Sequence, residues 1–278
     1  HSDIYTGSSA GGFLLTGIAN NFSADEIIKS LIGVSDEIET IRSTNIIKFN
    51  WADLINIIAS TPGKFLNALK NIWKEINGIS LIEMMLALGE VIPSGFFDLC
   101  FLEQYVARQL NKPNKTNDFR KLKNKLLIPA INIDTGELVI FGKGKYRDLA
   151  ISKAVAASCA VVPLFKPVEI EGAHYIDGGF KKNLPVELAI DEGAKLIICI
   201  NPLVPIINEK DKTAKSNEHR SLGEKGFNTI VNQFVRMIVH SKTVQKLEQL
   251  QEEHPDVDIL LFEPSPRDHK IFSYNFLS

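Results

Sequence analysis

Strands that alternate with helices along the whole chain predict an α/β layered fold with a mostly parallel central sheet flanked by helices. Three observations carry that expectation. Short apolar runs bounded by turn residues recur at 126–133, 138–141, 168–170, 174–176, 196–200 and 256–262. Stretches with apolar residues at helical spacing lie between and around them. Near the start, Ile4-Tyr5-Thr6-Gly7-Ser8-Ser9-Ala10-Gly11-Gly12 reads as a strand that turns sharply into a helix.

Within that stretch Gly7-Ser8-Ser9-Ala10-Gly11 matches Gly-x-Ser-x-Gly, the nucleophile elbow that holds a serine hydroxyl clear of the backbone. A turn that tight brings atoms close together, so glycine is expected on both sides of Ser9, with Ala10 the smallest alternative. The following helix, about 11–20, aims its free N–H groups and positive dipole end at the serine oxygen. The glycines fit neither the Gly-x-Gly-x-x-Gly spacing of a dinucleotide fold nor the Gly-Lys-Ser/Thr ending of a P-loop.

The remaining elements follow in order. Ser23-Ala24-Asp25-Glu26 is a capping box opening a helix to about Leu31, with Gly33 at its end. Residues 34–98 form a helical insertion or lid-like region. Trp51, Leu54, Ile55 and Ile58 recur at helical spacing, as do Phe65, Leu69, Ile72, Trp73 and Ile76, with Pro62-Gly63 between the two sets. Lys48, Lys64, Lys70 and Lys74 accompany them, so residues 50–76 read as a peripheral membrane surface, a lid, or a face packed on the core. Residues 103–110 make another helix. From Lys125 the runs 126–133 and 138–141 are joined by a hairpin turn at Asp134-Thr135-Gly136-Glu137, which makes Asp134 a turn residue.

Residues 151–160 form a helix rich in small residues, stopped by Val162-Pro163. Two short strands lead into Asp177-Gly178-Gly179, where glycines leave a carboxylate unobstructed at a strand end. A helix at 185–191, a strand at 196–200, a polar surface loop at 207–221, a long helix at 223–253 and a strand at 256–262 complete the chain. In the long helix Phe227, Ile230, Val231, Phe234, Val235 and Ile238 share one face.

Composition bounds the function. The 278 residues are 45% hydrophobic with a formal charge of −2, enough for a large core in a single domain over 1–278 and no reason to expect nucleic acid. Cys100, Cys159 and Cys199 have no metal-type spacing and read as buried, reduced thiols, so no metal or other cofactor is expected. That usage is compatible with the cytoplasm, although a secreted protein or one peripheral at membranes is equally allowed. No apolar run is long enough for a transmembrane segment. A signal peptide or a further strand upstream of His1 is compatible with the way the chain begins.

A serine hydroxyl needs a base to take its proton. Five of the six histidines sit at the terminus, in the polar loop, beside turns or on the long helix, which leaves Asp177 as the better-placed partner of Ser9. These motifs, in this order, resemble those of the patatin-like phospholipases. Between them Ala157-Ser158-Cys159-Ala160-Val161-Val162-Pro163-Leu164-Phe165-Lys166-Pro167-Val168 is similar to the family segment that leads through a proline to the acid, and Asn117-Asp118-Phe119 and Asp134-Thr135-Gly136-Glu137 resemble stretches of bacterial members.

The resemblance implies a three-layer α/β fold. It implies a Ser9–Asp177 dyad that hydrolyses a phospholipid or other acyl-lipid ester through an acyl-enzyme, with Gly7, Ala10 and Gly11 forming the elbow and oxyanion site and Gly178 and Gly179 completing the acid motif. It also implies a glycine-rich oxyanion loop upstream of the elbow. No residue before Ser9 matches that loop, and it is expected upstream of His1. The alternatives are an α/β-hydrolase Ser-Asp-His triad using His240 or His254, and a lipid-binding module impaired in turnover.

Overall fold

A computed structural model describes residues 3–35, 37–40, 48–49, 94–95, 97–207, 222 and 226–267. The expected lid or membrane surface at 50–76 and most of the polar loop at 207–221 lie outside these residues.

A five-stranded sheet is built on β4 (Lys125–Asn132), whose neighbours are β1 (Ile4–Thr6) on one side and β7 (Ala173–Asp177) on the other, with β6 (Val168–Ile170) beyond β7 and β5 (Leu138–Phe141) also paired to β4. Leu126, Leu127, Ile128 and Ala130 are all essentially inaccessible, so successive residues of β4 are covered on both faces of the sheet. A continuous apolar run such as Leu126-Leu127-Ile128-Pro129-Ala130-Ile131 is what a strand between two layers requires. Small separate pairs join β2 (Lys48–Phe49) to β3 (Phe97–Asp98) and β8 (Leu196–Ile200) to β9 (Asp258–Phe262).

Strand direction departs from the expected mostly parallel sheet. Within the five strands only β1 and β4 run parallel, whereas β4–β5, β4–β7 and β6–β7 are antiparallel; β8 and β9 form a second parallel pair. Connection length decides this. The β4–β5 and β6–β7 links are single turns, and a parallel return needs a crossover of a dozen or more residues. The long helical excursions before β4 and between β8 and β9 supply that length.

Helix α1 (Ala10–Ala19) and helix α4 (Ile151–Ser158) pack on β4, α3 (Cys100–Leu110) lies along α4, and α5 (Val186–Asp191) meets β1. In α4 Ile151, Ala154, Val155, Ala156 and Ala157 are buried almost all round, which small side chains allow by letting the helix approach the sheet closely. The second helix, α2 (Ala24–Ile32), has its capping box: Glu26 N–H donates to Ser23 Oγ at 3.1 Å, Ser23 N–H donates to the Glu26 carboxylate, and Gly33 ends the helix at φ 79°. The long helix α6 (Phe227–Glu253) forms as expected, and Ile230, Val231, Phe234, Val235 and Ile238 on its apolar face are exposed.

Candidate active site

Ser9 sits between β1 and α1 with φ 53° and ψ −130°, a left-handed conformation that non-glycine residues seldom adopt. Such strain persists only where neighbours hold it, and here two contacts do. The Ser9 N–H donates to Ser158 Oγ at 3.0 Å, and the Ser158 hydroxyl donates to the Pro129 carbonyl at 2.7 Å. Ser158, fully buried at the end of α4, thus ties the elbow to the central strand. Ser8 Oγ donates to the Lys182 carbonyl at 2.7 Å, fixing the other side of the turn.

The glycines are less symmetrical than the motif suggests. A Cβ on Gly7 would meet Gly11 C at 2.8 Å and Gly12 N at 2.9 Å, and one on Gly12 would meet Gly7 O at 2.7 Å. The close backbone contact is therefore Gly7 against Gly12. Gly11 has nothing within 4 Å of its Cβ direction, so the expected steric need for glycine on that side of Ser9 falls one residue later. Ala10 opens α1 and, among the described residues, its N–H has no acceptor, as the first amides of a helix do not.

Asp177 is the last residue of β7, paired in register with Ala130 of β4, and retains 3% of its surface. Gly179 N–H donates to its Oδ1 at 2.7 Å. Burial pushes its carboxyl above the usual aspartate range, while the Ser9 side chain and the Gly179 amide act the other way by favouring the ionised form. Gly178 is required by packing, because a Cβ there would stand 2.4 Å from the Pro129 carbonyl. A Cβ on Gly179 would meet Asp177 Oδ1 at 3.0 Å. Pro129 thus receives the Ser158 hydroxyl and lies against the Asp177 turn, so one residue of β4 sets both halves of the site.

Two neighbours were not singled out from the sequence for any role here. Cys159 follows Ser158 and lies beside both Ser9 and Asp177. Burial, reinforced by the Asp177 charge, pushes its thiol far above the ordinary range, so it stays protonated and is a wall, not a competing nucleophile. Ser158 lies inside the quoted segment, yet its role depends on a contact 149 residues away in sequence. Among the described residues no histidine is among the groups that act on Asp177. His240 Nε2 lies 3.2 Å from the Glu263 carboxylate, and His254 ends α6.

A strained serine at a strand-to-helix turn after β1 thus lies beside a buried carboxylate at the end of β7, with β4 between the two strands, in a protein of the α/β class. The model of the family described as patatin-like phospholipase matches residues 1–190, more than half of the 278, and the chain belongs to that family. Its fold is accordingly the three-layer α/β fold, and its class is lipid acyl hydrolase with a lipid substrate. No described helix is long and apolar enough to cross a membrane.

Proposed function

We propose that Ser9 and Asp177 form a catalytic dyad that cleaves a fatty-acyl ester of a phospholipid or related lipid through an acyl-enzyme. The observation that carries this reading is the meeting of the Ser9 side chain with a carboxylate that is almost wholly buried. Asp177 takes the Ser9 proton as Oγ attacks the ester carbonyl. The oxyanion that forms lies at the N-terminus of α1, where the Ala10 N–H donates to it. Collapse breaks the bond to the alcohol, which leaves with the proton held by Asp177. Water then attacks the acyl-enzyme, giving its proton to Asp177, and release of the fatty acid returns that proton to Ser9.

An aspartate of ordinary acidity is a weak base, and burial strengthens it. Removing water also strengthens the Ala10 contact with developing charge. Residues 50–76 are the stretch we assign to contact with a membrane surface, on the strength of their apolar spacing and lysines.

The test is hydrolysis of a chromogenic fatty ester by wild type, Ser9→Ala, Asp177→Asn and the double variant. Residues that act as one unit give non-additive losses. Each single variant is expected to lose at least about 10³-fold in kcat, with the double variant no worse. Turnover by Ser9→Ala near the wild-type rate contradicts the nucleophile, and additive losses contradict the dyad.

A further inference from the structure

Beside the Asp177 turn lies a cleft of about 830 Å³, counted to include its open mouth, between residues 179–187 and helix α6. Its lining carries four lysines, Lys181, Lys182, Lys242 and Lys246, against a single carboxylate, Glu187. Val235, Ile238, Val239 and Leu247 supply an apolar wall beside them. The cleft is built onto the site. Gly179, which donates to Asp177, forms part of its lining, and the Lys182 backbone carbonyl accepts from the hydroxyl of Ser8, next to Ser9. On the far side Asn183 Nδ2 donates to Thr243 Oγ1 at 3.3 Å, which fixes α6 against the turn.

The charges there are incompletely matched. Lys182 and Lys246 both approach Glu187 Oε1, at 3.5 and 3.7 Å, longer than a charge-assisted hydrogen bond of about 2.7–2.9 Å. Among the described residues Glu187 Oε2 is buried with no partner, and Lys242, one helical turn before Lys246, has no ion pair. Two ammonium groups therefore converge on one carboxylate oxygen with a third on the same helix face, and an acceptor oxygen is left over beside them.

We infer that this cleft holds the phosphate of the substrate's head group, on Lys182, Lys242 and Lys246. The inference rests on the Ser9–Asp177 reading, because it uses the adjacency of the cleft to that pair. In a glycerophospholipid the phosphodiester lies a few bonds from the scissile acyl ester, and this cleft adjoins the turn that carries Asp177 through Gly179 and Lys182. Lysine is suited to the task as a point charge for phosphate. Val235 and Ile238, both exposed, then lie alongside the lipid's apolar part.

The experiment separates this inference from the catalytic reading by measuring binding without turnover. Ser9→Ala protein is titrated calorimetrically with dihexanoyl phosphatidylglycerol below its micelle concentration, and separately with dihexanoylglycerol, which lacks the phosphate. We expect the phosphate lipid to bind at least 10-fold more tightly, and 0.5 M NaCl to narrow that gap. In Ser9→Ala carrying Lys242→Gln and Lys246→Gln, with an unchanged circular dichroism spectrum and melting temperature, the gap between the two lipids should shrink to less than 3-fold. Equal affinity for both lipids in the starting protein, or a gap untouched by the lysine changes, overturns the subsite. Failure of the dyad would show in the ester assay and leave this binding comparison readable.

Discussion

A carboxylate with 3% of its surface exposed is costly to ionise, and Asp177 meets that cost with a single amide donor and the Ser9 side chain. Its folded-state pKa is raised above the ordinary value of 3.8. The proton is therefore held more tightly in the folded protein than in the unfolded chain. Stability linked to this group is fully present below about pH 3.8 and is lost as pH rises through the folded value. Asp177→Asn keeps the acceptor for Gly179 N–H and removes the buried charge. We predict that this variant, although inactive, melts at a higher temperature than wild type at pH 8, and that the advantage disappears as the pH falls toward 4. Thermal melts across that range check it, and a variant less stable than wild type at pH 8 contradicts the reading of Asp177 as a desolvated base. Both proposed catalytic residues were legible in the sequence because each lies in a local motif, Gly-x-Ser-x-Gly or Asp-Gly-Gly. Ser158 was not, since its task depends on Ser9 and Pro129, both remote from it along the chain.

At the scale of elements, the elbow is a close contact between the end of β1 and the first turn of α1. The motif marks Gly7 and Gly11 alike, yet sterics separate them. Gly7 and Gly12 touch, and Gly11 faces open space at the second position of the helix. Gly11→Ala is predicted to keep activity within a few-fold and to be neutral or stabilising, by up to about 1 kcal/mol from helix propensity. Gly12→Ala drives a methyl into the Gly7 carbonyl and is predicted to cost both stability and activity. Melting temperature and ester turnover of the two variants check this, and a more harmful Gly11→Ala would contradict the assigned contact. Helix ends were readable for a related reason. The Ser23 box and Gly33 act within one turn, so the capping residues carry the whole signal. The extent of α6 was also readable, but which of its faces is covered was not, because periodicity reports a face and not what packs on it.

For the whole molecule, the order and type of most described elements followed from hydrophobic pattern. The paired strands β2 and β3, however, fall within residues 34–98, which read as helical because strands of two residues are too short to show an alternation. Strand direction did not follow from alternation of strands and helices. The turn at Asp134-Thr135-Gly136-Glu137 already demanded an antiparallel β4–β5 pair, and the tight β6–β7 link demanded another. Local turn chemistry thus outweighed the class-level expectation of a mostly parallel sheet. The consequence for function lies in β4. As the strand shared by β1 and β7, it brings the serine at the end of one neighbour to the aspartate at the end of the other. Residues 168 positions apart in number need only that one rigid strand between them.

Acylation of Ser9 is read from the intact and peptide mass of the enzyme quenched during hydrolysis of a p-nitrophenyl fatty ester. We predict a mass increase of one acyl group confined to the peptide carrying Ser9. The adduct should be absent in Ser9→Ala. No acylation during turnover, or an acyl group on any other residue, would contradict it.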